Sequence, residues 1–289
     1  MKKIYYITAV FATLFLVGCG DGIDLPGVNV ETDLNKIPLP DNNVNLEQVE
    51  LKPSTEPMLH EGLHTEEDFQ RIRDKKAAGE EPWVSAYQLL VESQFSQKTA
   101  DTYPTEWIKR GISGDENYMN AARGATIVYQ QALRWKIEQD DEYAAKAVEN
   151  LNKWVQTCVG VTGNTNLSLA AGLYGYEFAI AGELLRDYGG WDRADFAAFQ
   201  NWLLKVFYPA NDDFLKRHHD TNALHYWANW CLCNIAAKMA IGIVTDRRDI
   251  YNEGIDHLQT GDTNGRLRRA IYHDYAPDYN FAQWQESGR

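Results

Sequence analysis

Apolar side chains recur at helical spacing in one segment after another of this chain, and this pattern restricts the fold more than any other feature. In the segment 142–159, for example, Val148, Leu151 and Trp154 fall on one face of a helix. The other segments with this spacing begin near residues 65 and 83 or span 117–137, 167–188, 193–207, 224–244 and 249–258. No segment alternates apolar and polar residues as a strand would. The sequence therefore predicts an all-α fold, an incomplete (α/α) toroid or barrel of packed helical hairpins whose loops line one concave face.

Two of these segments carry additional signals. Thr65-Glu66-Glu67-Asp68 resembles a capping box, so a helix should begin there. The segment from Leu224 to Val244 is apolar almost throughout, which is typical of a helix buried on all sides. We expect it to be the central helix of the domain.

The first 57 residues have a different character. Lys2 and Lys3 precede a short apolar run, and Leu16-Val17-Gly18-Cys19 is typical of a lipoprotein signal; an ordinary secretory signal is the alternative. The run is too short to span a membrane comfortably, so a lipid on Cys19 would anchor the chain. Residues 20–57 carry five prolines and no sustained apolar period, as a linker does. The predicted organisation is a signal peptide with its lipidated cysteine (1–19), a linker (20–57) and one domain (58–289), in an exported lipoprotein of the periplasm or outer-membrane surface of a Gram-negative bacterium.

Charge and cysteine content exclude several classes of function. The formal net charge of −13 argues against a general nucleic-acid-binding protein, although a local basic cluster can still bind a polyanion. Cys158, Cys231 and Cys233 show no zinc spacing and are interpreted as free thiols. The sequence predicts no metal, no redox cofactor and no partner nucleic acid.

Two stretches concentrate groups that suit an anionic sugar. Residues 218–230 contain three histidines, two asparagines, one tyrosine and two tryptophans, and residues 266–275 contain three arginines, two tyrosines and one histidine. Such side chains can neutralise a carboxylate, move a proton and stack on a sugar ring.

Five short motifs, in this order, resemble the alginate-lyase-like domain of bacterial polysaccharide lyases: His60-Glu61-Gly62-Leu63-His64-Thr65, the segment 166–176, His225-Tyr226-Trp227-Ala228-Asn229-Trp230, Tyr272-His273-Asp274-Tyr275-Ala276 and Gln285-Glu286-Ser287-Gly288-Arg289. The resemblance implies an (α/α) toroid and β-elimination on a uronic-acid polysaccharide, alginate or glucuronan, that binds as the partner. In that family the sequence continues past the position of Arg289, which implies that the chain is truncated at its carboxyl end.

β-Elimination sets clear demands on the site. The proton on C5 of a uronate is barely acidic while the neighbouring carboxylate keeps its charge, so that charge must be neutralised by Asn, His or Arg. A base then takes the proton, and an acid protonates the leaving oxygen. Tyrosine can do both if a nearby cation lowers its pKa from its usual value of about 10.

These demands and the resemblance together select the candidate residues. The predicted catalytic residues are Tyr272, His225, Asn166, Arg266 and His218. The predicted substrate-binding residues are Asn222, His219, Arg269, Tyr226, Trp227 and Tyr275. Several alternatives stay open: a buried aromatic role for Tyr272, a core role for His225, a helix N-cap role for Asn166, and Arg268 or Arg269 in place of Arg266.

The chain departs from the resembled motif at the histidine. In the alginate lyases compared, a histidine lies two residues before the Tyr-Trp pair, where this chain has Leu224. His225 adjoins Tyr226 instead, and His218 and His219 are alternative carriers of the histidine's role.

Two other functions compete with a lyase. One is a non-catalytic helical glycan-binding lipoprotein, which would use the tryptophans alone. The other is an (α/α)-barrel hydrolase of unsaturated uronides, which would need two essential carboxylates such as Asp212 and Asp213.

Overall fold

The computed structural model describes residues 58, 60 and 62–270, with the side chain of Arg268 excepted. Its helices are α1 (Glu66–Ala77), α2 (Trp83–Glu92), α3 (Tyr118–Glu138), α4 (Asp141–Thr157), α5 (Asn166–Leu184), α6 (Arg193–Val206), α7 (Tyr208–Arg217), α8 (Ala228–Val244), α9 (Arg248–Thr260) and α10 (Leu267–Ala270). Two short strands, β1 (Trp107–Arg110) and β2 (Gly160–Gly163), and two short 3-10 helices (Gln94–Ser96 and His218–Asp220) are also present. The all-α prediction is confirmed.

Three helices, α3, α5 and α8, form a central layer, with α5 packed between the other two. The intervening helices α4, α6, α7 and α9 pack around this layer. Each central helix is thus followed by one or two outer helices, which is how helical hairpins pack in an (α/α) fold.

The central helices run in the same direction. On α5 and α8, Gly172 lies against Cys233 near the beginnings of the helices, and Arg186 donates a 2.8 Å hydrogen bond to the Val244 carbonyl near their ends. On α3 and α5, Thr126 donates to Glu177 over 3.2 Å, and further along the rings of Trp135 and Tyr188 are 5.6 Å apart. The amino-terminal ends of all three helices therefore lie on one side of the domain.

An aromatic cluster fills the space between the central layer and its cover. The Phe178 ring of α5 lies 5.4 Å from Trp154 and 5.2 Å from Trp202, measured between centroids. Trp154 donates to the Thr102 hydroxyl over 2.6 Å, so its indole nitrogen is satisfied inside the core. Trp191 is buried as well and belongs to the same hydrophobic core.

The two strands were not predicted from the sequence. They pair in parallel, with Trp107 opposite Gly160 and Arg110 opposite Gly163. Four residues are too few to show the alternation by which a strand is recognised. Glycine is needed at position 160 because a Cβ there would lie 2.5 Å from the Trp107 ring.

The start of the central helix was placed too early. The structure has Leu224–Trp227 in a turn, and α8 begins at Ala228. The buried Asn264 side chain donates 2.9 Å hydrogen bonds to the carbonyls of Leu224 and Tyr226, which a helix would have used internally. Helix α7 was not predicted as a separate element, whereas the capping box of Thr65 and Asp68 is confirmed.

Within the described residues, no helix is long and apolar enough to cross a membrane. Cys158, Cys231 and Cys233 are all free thiols, as expected, and the first two are buried.

Candidate active site

The candidate site lies at the amino-terminal ends of α5 and α8, and His219 connects the two. Its Nε2 is 3.0 Å from the Ser168 hydroxyl oxygen in the first turn of α5. Its ring centroid is 5.8 Å from that of Tyr226, in the turn before α8. The histidine thereby links the first turn of α5, which carries Asn166, to the turn that carries His225, Tyr226 and Trp227.

The turn that presents His219 has an unusual backbone. His218, His219 and Asp220 have φ of 47°, 53° and 60°, a region that residues other than glycine seldom adopt. The Thr221 hydroxyl donates a 2.6 Å hydrogen bond to the His218 carbonyl and stabilises the turn. Strained backbone of this kind is concentrated at functional sites, where the surroundings hold it in place.

A second turn carries Asn222, His225 and Tyr226. The Asn222 side-chain oxygen accepts a 2.8 Å hydrogen bond from the Leu224 amide, so it caps this turn and not helix α8. The bonds from Asn264 to the same turn bring the chain segment that leads to Arg266 alongside it.

Asn166 is the first residue of α5, and Asn164 orients it. Both the backbone amide and the side-chain amide of Asn166 donate 2.9 Å hydrogen bonds to the Asn164 side-chain oxygen. The N-cap of α5 is Thr165, so the N-cap role considered for Asn166 does not apply.

The three candidate histidines differ in exposure. His225 is exposed, with its ring 5.0 Å from Tyr226, and so it is not a core residue. His218 is 3% exposed and packs 4.8 Å from the Phe214 ring, with Nε2 3.6 Å from the Cys231 sulfur. Burial lowers the pKa of His218, and nearby His257 and His219 add to the effect. These contacts suit a neutral core imidazole, which leaves His219 and His225 accessible to a ligand.

The predicted arginines Arg266 and Arg269 donate to backbone carbonyls of α9 and of the loop that follows it. Arg266 Nε donates to the Gln259 carbonyl over 3.0 Å. Arg269 Nη1 donates to the carbonyls of Asp262 and Thr263. Asn264 bonds to the turn that carries His225, so Arg266 and Arg269, which follow Asn264 in the sequence, are brought towards this turn. Tyr272, Tyr275 and Cys19 lie outside the described residues.

A family model described as alginate lyase matches residues 72–270, more than half of the chain. The chain belongs to the alginate lyase family. No curated protein and no solved structure matches it. Membership of the alginate lyase family supports polysaccharide lyase activity in general and implies a polysaccharide substrate.

The aromatic residues of this alginate lyase family member divide between core and surface. Tyr226 is half-buried, with ring centroids 5.1 Å from Phe214 and 4.8 Å from Trp230. Trp227, the N-cap of α8, is 52% exposed. Of these residues Trp227 offers the largest surface to a sugar ring.

The adjacent carboxylates that a hydrolase could use form ion pairs with lysine and arginine side chains. Asp212 accepts hydrogen bonds from Lys216 (2.8 Å) and from the buried Lys238 (2.9 Å), and Asp213 pairs with Arg217 (2.6 Å). This pairing argues against Asp212 and Asp213 as a hydrolytic pair. Among residues 58, 60 and 62–270, no group of three His, Cys, Asp or Glu side chains could hold a metal ion.

Asn164 and Arg110 were not predicted from the sequence as site residues, and both lie at the amino-terminal end of the central layer. Asn164 follows β2 and Arg110 ends β1, so their positions depend on strand pairing. The available sequence signal was Trp107-Ile108-Lys109-Arg110-Gly111, a short segment that a glycine ends.

Proposed function

We propose that the protein is an exported, lipid-anchored lyase that cleaves a uronic-acid polymer, alginate or glucuronan, by β-elimination. One observation carries the proposal: Asn166, His219, the His225 turn and the Arg266 loop converge at one end of the central helices. Amide, imidazole and guanidinium groups are the donors that a uronate carboxylate needs before C5 can lose its proton. Anchoring through Cys19 at the periplasmic or outer-membrane surface belongs to the same proposal.

In this mechanism Asn166 and a histidine donate hydrogen bonds to the substrate carboxylate, and Arg266 offsets the developing negative charge. Tyr272 removes the C5 proton, the electron pair forms the C4–C5 double bond, and the bond from C4 to the glycosidic oxygen breaks. The same tyrosine then donates the proton to the departing oxygen. The products are an unsaturated uronate and a new sugar end, so no oxidant, reductant or water is consumed.

The contacts favour His219 or His225 over His218 as the histidine of this mechanism. His219 is fixed by Ser168, while His225 is exposed at the turn before α8. His219 suits a donor with a defined direction, and His225 suits a residue that closes on the bound sugar.

The test uses the ultraviolet absorbance of the unsaturated uronate. The full chain is mixed, with EDTA present, with alginate, glucuronan, pectate and chondroitin in turn. We expect the absorbance to rise with alginate or glucuronan. The initial rate of this rise should be about 100-fold lower, or lower still, in Tyr272→Phe, since a proton-transfer group is lost.

The matched control is Tyr103→Phe, which removes the same hydroxyl from a side chain that is 74% exposed. It should cleave at the wild-type rate. The absence of any absorbance change with all four polymers, from folded protein, would contradict the proposal, as would full activity in Tyr272→Phe.

A further inference from the structure

We propose that Arg110 binds a substrate carboxylate and makes the site selective for uronate over neutral sugar. This inference rests on the proposed function, because it names the group that selects the substrate of the same site. Arg110 is a substrate-binding residue in this proposal and takes no part in proton transfer.

The first observation is a buried cationic atom without a partner. Nη1 of Arg110 is inaccessible to solvent and has no hydrogen-bond partner among the described residues. A buried donor that lacks an acceptor destabilises the protein, and a charged donor does so more strongly. Arg110 as a whole is only partly buried, so a ligand carboxylate can bind its guanidinium and offset this cost. The planar guanidinium matches a carboxylate with two parallel hydrogen bonds.

The second observation is that the backbone fixes Arg110 rigidly. The Asn117 side chain accepts a 2.7 Å hydrogen bond from the Lys109 amide and donates one of 2.9 Å to the Trp107 carbonyl. Gly163 has φ of 144°, and a Cβ there would lie 1.7 Å from the Arg110 carbonyl oxygen. These contacts fix the backbone that carries the Arg110 side chain, so less conformational entropy is lost when a ligand binds.

The third observation is the position of the guanidinium beside the central layer. Its central carbon lies 4.7 Å from the centroid of the Tyr118 ring at the start of α3. Its charge also reaches α5 and α8: burial raises the pKa of Tyr174 and that of Cys233, and Arg110 opposes both effects. Gly111, the next residue, lies directly against Asn164, which holds Asn166.

The other arginines at this end of the domain are bound differently. Arg266 donates to the Gln259 carbonyl in the last turn of α9, and Arg269 donates to the Asp262 carbonyl in the loop that follows. Arg110 makes no such bond from Nη1 among the described residues. Its Nη1 therefore lacks the carbonyl acceptor that these two arginines have.

The test compares two ligands that differ only in charge. A short glucuronate or mannuronate oligosaccharide and its carboxyl-reduced, neutral counterpart are titrated calorimetrically into the full chain. Titrations use a Tyr272→Phe background, so that the oligosaccharide stays intact. Arg110→Met should bind the uronate about 10- to 100-fold more weakly and the neutral ligand unchanged, the loss expected for one charged hydrogen-bonding group. Arg193→Met, which removes an exposed arginine at the start of α6, should bind both ligands like the parent.

Wild-type-like affinity for the uronate in Arg110→Met, or an equal loss for both ligands in folded protein, would overturn the proposal. If Arg110→Met does not fold, Arg110→Lys decides, because it keeps the charge and lacks the planar fork. A selective loss of about 10-fold for the uronate supports the proposal, and unchanged affinity overturns it.

The two proposals fail separately. Polymer cleavage at the wild-type rate and KM in Arg110→Met would reject the role of Arg110 and leave the lyase function intact. Uronate binding that depends on Arg110, without any unsaturated product from the wild-type chain, would reject the lyase function alone. A wild-type chain that neither binds nor cleaves these uronates rejects both.

Discussion

His219 and Ser168 join the first turn of α5 to the left-handed turn that follows α7, over 3.0 Å between Nε2 and Oγ. Ser168 is buried, so water does not compete with the imidazole for its hydroxyl, and the ring of His219 is held in one orientation. We expect this pairing to matter for turnover, because it aims the other ring nitrogen of His219.

Ser168→Ala should therefore lower kcat by about 10-fold and reduce stability by about 1 kcal/mol, the net worth of one hydrogen bond. Initial rates of unsaturated-product formation and the midpoint of thermal unfolding measure the two effects. Ser85→Ala, which removes an exposed hydroxyl from α2, is the control. An unchanged kcat in both Ser168→Ala and His219→Ala would show that this histidine does not act on the substrate.

Glu177 on α5 should make the stability of the domain depend on pH. Burial raises the pKa of its carboxyl from 4.5 to about 7, and the hydrogen bond from Thr126 opposes this only in part. Because the folded pKa lies above the unfolded one, the neutral acid is favoured in the folded state. Its stabilisation is complete below about pH 4.5 and is lost as the pH rises through about 7.

Glu177→Gln stays neutral and should abolish this loss. Urea unfolding should show equal free energies for the variant and the wild type below about pH 4.5, and a variant more stable by about 3 kcal/mol above about pH 8. Glu67→Gln, at an exposed position of α1, controls for the loss of one negative charge. A Glu177→Gln difference that stays constant across this range would contradict the shifted pKa.

Lys238 forms two ion pairs from inside the core. It is fully buried in α8, with Nζ 2.9 Å from Asp212 and 2.6 Å from Glu253. Lys238→Met would leave the partly buried Asp212 with Lys216 as its partner and should destabilise the domain by about 1–3 kcal/mol.

Lys216→Met is the matched control, since Lys216 pairs with the same Asp212 but is 60% exposed. Exposed pairs of this kind contribute about 0–1 kcal/mol, so its midpoint in urea should scarcely move. Similar losses in both variants would show that burial does not decide the contribution of these ion pairs.

Gly172 sets the distance between the two most extensively packed central helices. A Cβ at this position would lie 2.6 Å from the Cys233 sulfur and 3.0 Å from the Asn234 backbone nitrogen. Gly172→Ala must push α8 away and should destabilise the domain by about 1–3 kcal/mol.

Gly189→Ala tests the same substitution where a Cβ would meet nothing within 4 Å. It should be neutral or slightly stabilising, because alanine restricts the unfolded chain. Differential scanning calorimetry of the two variants would distinguish close packing from a general effect of removing glycine. Equal unfolding midpoints for Gly172→Ala and Gly189→Ala would show that α5 and α8 lie further apart than they do in the structure.

The sequence predicted the helices well because their packing is periodic and local. Val148, Leu151 and Trp154 all lie in α4, and the capping box at Thr65 depends on a residue only three positions away. Neither feature needs knowledge of the rest of the chain.

What sequence reasoning missed depends on contacts between distant residues. Asn264, about forty residues further along the chain, bonds to the Leu224 carbonyl and keeps the residues before Ala228 out of the helix. Likewise, β1 exists only because β2 pairs with it. The candidate site shows the same division. Asn166 and the histidine-rich segment stand out by composition, whereas the burial of His218 and the partnerless Nη1 of Arg110 follow from tertiary structure alone.

The common direction of α3, α5 and α8 has an electrostatic consequence. Each helix carries a macrodipole equivalent to about half a positive elementary charge at its amino-terminal end, and all three ends lie on the side of the domain that carries Asn166 and His219. The formal net charge of −13 opposes the approach of a polyanion, and these aligned peptide dipoles lower the repulsion at one end. Because this field comes from the backbone, it persists whichever side chains line the site.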